Sequence, residues 1–136
     1  MVKVFVEYLG DLHCRVRHEP SGAVMETDAP VDNQGKGESF SPTDLVAAAL
    51  GSCIATVVGI YAKRQGWKLE GMRVEVEKQM ATAPTRRIGR LLVNVWMPII
   101  LSDKDQQIVD KVAHTCPVHQ SLHPDVEAPI VFHWPS

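Results

Sequence analysis

Two thiols in contrasting local settings are the residues best suited to chemistry. Cys53 lies inside SPTDLVAAALGSCIATVVGIYAKRQG, a long run of small and apolar residues, and Cys116 sits within HTCPVHQSL, followed directly by a proline. Pro117 at a first helical position puts Cys116 near an N-cap, where free backbone N–H groups and the helix dipole favour a thiolate. His114 and His119 stand close by and offer positive charge. Cys53 falls in mid-helix and has no such help. Its helical neighbours Ala49, Leu50, Thr56 and Val57 are small or apolar, so a reactive thiolate there requires a cation brought from elsewhere. Two thiols from distant segments, joined only by the fold, point to redox chemistry, although each alone reads equally well as core. The third cysteine, Cys14, reads as structural.

The candidate cations are Arg15, Arg17 and the pair Arg86–Arg87. Arg15 and Arg17 share one face of a strand, with Cys14 on the other. Asp44 precedes Cys53 by nine residues; at about 100° per residue the two lie on opposite sides of a straight helix. Asp44 therefore reads as a cap. A metal site is the competing reading of His114, Cys116, His119 and His123, with His119 and His123 at i, i+4. Their H-x-C-x-x-H-x-x-x-H spacing is not a zinc pattern, and a second cysteine cluster is missing. The expectation is no metal and no cofactor. P-loop, G-x-G-x-x-G and G-x-S-x-G patterns are absent from the sequence.

The elements that must position these groups follow from local signals. Val2, Val4 and Val6 alternate with other residues as in a strand, Gly10-Asp11 turns the chain, and Leu12 to His18 alternates again. Pro20-Ser21-Gly22 makes the next turn before a third strand over Ala23–Thr27, and a Gly- and Pro-bearing loop follows. Ser41-Pro42 starts the central helix, Asp44 completes a near-variant of the capping box, and Gly66 ends it after Lys63 and Arg64. Strands follow at Met72–Val76 and Ile88–Met97. Ser102 caps a second helix with Ile108, Val109, Val112 and Ala113 as its buried stripe, Pro117 begins a short third one, and Ile130–Trp134 closes the chain as a strand. The order β-β-β-α-β-β-α-α-β predicts an α+β fold, antiparallel sheet packed on helices, in one domain over residues 1–136.

Composition agrees with a globular chain. The 136 residues are 45% hydrophobic and 22% charged, and the net charge of −2 gives no electrostatic case for nucleic acid or an anionic membrane. Three cysteines without tight spacing speak against a secreted disulfide scaffold. Because MVKVFVEY reads as a strand and not as a signal peptide, the expected location is cytoplasmic. Leu45–Ala62 is about long enough to span a bilayer, but Gly51, Ser52, Thr56 and Gly59 interrupt it and no second candidate exists. A core helix is the expected reading, too apolar for one subunit to cover, with association in a homodimer hiding the remainder.

With these residues in view, the chain resembles the OsmC/Ohr family of thiol peroxidases, and its OsmC-like branch more than Ohr. SPTDLVAAALGSC matches the family's proline-led helix with a mid-helix cysteine, HTCPVHQSL carries the second cysteine, and the strand order extends the likeness over nearly the whole chain. The resemblance implies an OsmC-like fold and an intertwined homodimer with two sites at the subunit interface. It implies Cys53 as the peroxidatic and Cys116 as the resolving cysteine, with an arginine of the N-terminal strands, Arg15 or next Arg17, activating the thiolate. The family's acidic partner stands ten residues before the first cysteine, where this chain has Thr43, so Glu38 or Asp44 is the substitute acid. The implied activity is cysteine-based reduction of organic hydroperoxides in oxidative-stress defence, with an external thiol or dithiol as reductant and no cofactor. The alternative is a non-catalytic small-ligand or thiol-binding dimer of the same fold.

Overall fold

Alternating residues in the N-terminal third form three antiparallel strands, β1 (Val4–Gly10), β2 (His13–His18) and β3 (Val24–Asp28), in the order β1-β2-β3. These come from a computed structural model that describes residues Met1–Ser136. The β1–β2 turn is the two-residue pair Asp11-Leu12, with φ of 52° and 61°. Positive φ at both central positions matches the twist of a hairpin. Leucine rarely adopts it, and here Leu12 is held by its own backbone groups: its N–H donates to Tyr8 Oη at 3.3 Å and its carbonyl accepts from Ala29 at 3.2 Å. Val31–Asn33, read as loop in sequence, makes one 3-10 turn.

α1 (Pro42–Gln65) is closed at both ends by the devices its sequence carries. Ser41 Oγ accepts from the Asp44 N–H at 3.1 Å, and Asp44 Oδ2 accepts from the Ser41 N–H at 2.9 Å, a reciprocal capping box. At the other end Gly66 has φ of 75°, its N–H donates to Lys63 and that of Trp67 to Ala62, the paired bonds of a Schellman motif.

The chain divides into two compact units, residues 1–46 and 47–136. In the second, β4 (Arg73–Ala81) pairs antiparallel with β5 (Arg87–Trp96), and β6 (Ile130–His133) lies on the other side of β5. β6 runs parallel to β5, a correction to the expected all-antiparallel sheet. The cause lies between them: α2 (Asp103–Ala113) and α3 (Pro117–Ser121) supply the long crossover that a parallel return needs. Ser102 Oγ caps α2 by accepting from the Asp105 N–H at 3.2 Å.

The core of this unit draws Leu50, Ile54, Val58 and Ala62 from α1, alternate residues Leu91, Val93 and Val95 from β5, and Val109 and Ala113 from α2. At Gly51 an added Cβ would stand 3.1 Å from Val76 Cγ2 and 3.4 Å from Val74 Cγ1, so α1 lies almost directly on β4. Within one chain Leu45–Ala62 is only partly covered, which the sequence reading expected of a helix too apolar for one subunit to hide. Only 33% of the apolar window of α1 is buried, because one face packs on the sheet while Ile60 and the small residues opposite stay open.

Leu50 is fully buried in this packing. Leu50→Ala should lower unfolding stability by about 2–5 kcal/mol, from lost burial plus the cavity left behind. Urea unfolding reads this as a lower midpoint at unchanged slope; a midpoint equal to the parent's would contradict the core assignment.

Candidate dithiol site

The last turn of α2 tightens before the second thiol. Thr115 donates from its N–H to Val112 and Cys116 from its N–H to Ala113, at 3.0 and 3.3 Å, and Thr115 Oγ1 donates to the Val112 carbonyl at 2.6 Å. Pro117 then starts α3 with Cys116 as its N-cap, whose Sγ accepts from the His119 N–H at 3.4 Å. Cys116 is wholly buried. Cys53, between the buried Leu50 and Ile54 on α1, is only partly covered, and its thiol is near enough to Cys116 to influence that thiol's acidity. Neither is in a disulfide. Two segments far apart in sequence thus place their sulfurs together.

The electrostatics of Cys116 reverse the sequence expectation. Burial pushes its thiol above the ordinary cysteine range, and the neighbouring Cys53 adds to this, while the N–H groups of His119 and Val118 pull the other way without prevailing. A five-residue helix offers too little field to hold a thiolate with no water around it. Of the two, Cys116 is the buried thiol and Cys53 the more open one.

The neighbouring histidines are held by main-chain carbonyls. His119 Nε2 lies 3.0 Å from the Ala128 carbonyl and His114 Nδ1 lies 2.7 Å from that of Asp110. A carbonyl only accepts, so each of these nitrogens carries its proton. The two rings pack edge to face at 5.5 Å. His123 Nδ1 accepts from the Asp125 N–H at 3.0 Å. The four side chains of the alternative metal reading, His114, Cys116, His119 and His123, do not converge on one point.

The arginines are held in different ways. Arg15, on β2 in the first unit, is half-exposed with Nη1 3.4 Å from Glu7 and Nη2 4.0 Å from Glu26. Arg17 lies over the Phe5 ring at 4.9 Å. Arg87, in the second unit, is bound to the carbonyls of Ala83, Ile88 and Asp125. Of the acids, Asp44 serves the α1 cap, and exposed Glu38 approaches His13 at 3.7 Å. Thr43 Oγ1 lies 3.3 Å from Ser41 Oγ. Sequence reading missed a convergence of His13, Asp28 and Glu38 in the first unit. The hairpin register pairs His13 with Asp28, and counting outward from the Pro20–Gly22 turn was the signal available for it.

The profile of the OsmC-like protein family matches residues 35–129. A search of curated proteins finds no match. Among solved structures, a candidate osmotic stress induced and detoxification response protein from Psychrobacter arcticus is 44% identical, with 98% of this chain and 96% of that one covered and a TM-score of 0.92. An organic hydroperoxide resistance protein OsmC from Legionella pneumophila is 16% identical over 97% and 96% of the two chains, with a TM-score of 0.79. The organic hydroperoxide resistance protein OhrB of Bacillus subtilis is also 16% identical, covering 98% of each chain at a TM-score of 0.73. At that identity the last two establish the likeness of fold.

Burial and raised basicity together should make Cys116 the slow thiol. In the reduced native chain, alkylation followed by peptide mapping should modify Cys53 and Cys14 first, with Cys116 about tenfold slower or more at neutral pH and catching up as alkali deprotonates it. Equal rates at neutral pH would contradict the assignment.

Proposed function

The chain belongs to the OsmC-like protein family, and from that premise we propose that it is a thiol-dependent peroxidase that reduces organic hydroperoxides in oxidative-stress defence. The observation that carries the proposal is the unequal thiol pair, a partly open Cys53 near a buried Cys116 whose thiol is pushed above the ordinary cysteine range. The Cys53 thiolate attacks the O–O bond of the hydroperoxide; the alcohol leaves and Cys53 becomes a sulfenic acid. The Cys116 thiol then displaces water from that sulfenic acid to form a disulfide. An external thiol or dithiol reduces the disulfide by exchange. Keeping Cys116 protonated suits this order, since it should not compete for the oxidant before Cys53 has reacted.

The apolar surroundings of Cys53, with Leu50 and Ile54 beside it, suit an organic substrate. Arg15 is the proposed cation for the Cys53 thiolate, with Arg17 second and Glu38 or Asp44 as the acid in place of Thr43. A homodimer completes the proposal, the whole chain serving as one functional domain in the cytoplasm. Its support is unburied apolar surface: the open side of α1 around Ile60, and Val4, Phe5, Val6 and Tyr8 on β1. The second reading, a non-catalytic small-ligand or thiol-binding dimer, draws on Thr43 at the acid position and on the carboxylates of Glu7 and Glu26 that already hold Arg15.

Turnover separates the two. With an organic hydroperoxide and a dithiol reductant, the parent should consume peroxide, Cys53→Ser should abolish consumption, and Cys116→Ser should accumulate sulfenic acid. Arg15→Ala should slow the chemical step by about 1–3 kcal/mol, the scale of a lost ion contact to the thiolate. Consumption by Cys53→Ser at the parent's rate, or none by the parent, would reject the peroxidase.

A further inference from the structure

We propose that His13, Asp28 and Glu38 form a three-ligand site for a divalent transition cation of the zinc class. The inference is independent of the peroxidase reading and departs from the expectation that the chain holds no metal. His13 Nε2 lies 3.5 Å from Asp28 Oδ1 and 3.7 Å from Glu38 Oε2, and one ligand atom from each of the three lies within 4.8 Å of the others. Tetrahedral ligation at roughly 2.0–2.2 Å separates ligand atoms by about 3.3–3.6 Å. The trio is therefore close to a coordination shell, with the exposed Glu38 the member that must draw in.

Two further observations point to a cation. Asp28 is 1% exposed and buried Oδ1 has no hydrogen-bond partner, although Oδ2 accepts from the Glu38 N–H at 2.9 Å. A buried carboxylate oxygen without a donor is costly, and this one faces the other two ligand atoms. The His13 ring is set by its Nδ1, 2.7 Å from the Asp11 carbonyl in the strained hairpin turn. That carbonyl can only accept, so Nδ1 holds the proton and the neutral ring directs the bare Nε2 at the two carboxylates. A carbonyl orienting the outer nitrogen of a metal-ligating histidine is a recurrent arrangement. In the neutral ring, three lone-pair-bearing atoms face one another, which is repulsive without a positive charge among them.

That charge is a metal ion or a proton on Nε2. The Asp11 carbonyl is the largest influence and favours protonated His13; burial opposes it, and Asp28, Glu38 and the Asp11 carboxylate each favour the proton by less than burial costs it. Lys36 is engaged with Asp11 at 3.3 Å, and Glu38 and Asp28 also act on its charge. One imidazole and two carboxylates suit zinc, manganese, iron(II) or cobalt(II). Binding would displace the Nε2 proton where one is present, so affinity should rise as His13 deprotonates.

Cobalt(II) is the probe, added to the chelator-treated, reduced full-length chain, because its spectrum distinguishes this site from the cysteines. The expected result is one cobalt per chain with weak visible bands and no intense near-ultraviolet thiolate band. His13→Ala and Glu38→Gln should each weaken binding by about 10–100-fold. Glu38→Gln changes an exposed side chain, so its effect does not depend on refolding a core. No binding near neutral pH, a thiolate band, or affinity unchanged in both variants would overturn the proposal. A His13 ring that titrates while cobalt fails to bind would make the proton the sole occupant, and would overturn it equally.

Discussion

The seating of one face of α1 on β4 is the constraint on which the dithiol depends. Gly51 allows the approach, since an added Cβ would crowd Val76 Cγ2 at 3.1 Å, and it comes two residues before Cys53. With Leu50 and Ile54 anchored in the core on either side, Cys53 has little rotational freedom about the helix axis. Cys116 is presented by a different route, through the tightened end of α2 and the proline that starts α3. Neither placement refers to the other locally, so the pair exists only once the unit is packed.

That packing also makes the two thiols unequal. Full burial and a sulfur neighbour keep Cys116 protonated despite its position at a helix start. In the proposed chemistry this inequality sets the order of events: the accessible sulfur meets the oxidant and the hidden one closes the disulfide. A more acidic Cys116 would be open to direct oxidation along the same ladder and would lose its resolving role.

Features set by adjacent residues were legible in the sequence: the Ser41–Asp44 box, the Gly66 stop, the Ser102 cap, Cys116 before Pro117, and the element order. Those set by long-range balance were not. The parallel direction of β6 follows from a crossover of about thirty residues, which no local signal encodes. α1 is apolar on every side, so periodicity could not reveal which face the core takes. The sequence rule for Cys116 was sound but incomplete, as burial outweighs the helix-start field. His13 and Asp28 meet only through the β2–β3 register, and their spacing of fifteen residues matches no motif.

The most direct test of the central claim is peptide mapping by mass spectrometry of the reduced chain after one equivalent of an organic hydroperoxide. The account predicts a single intramolecular Cys53–Cys116 disulfide with Cys14 still reduced. Cys53 oxidised without any bond to Cys116, or a disulfide that recruits Cys14 instead, would contradict it.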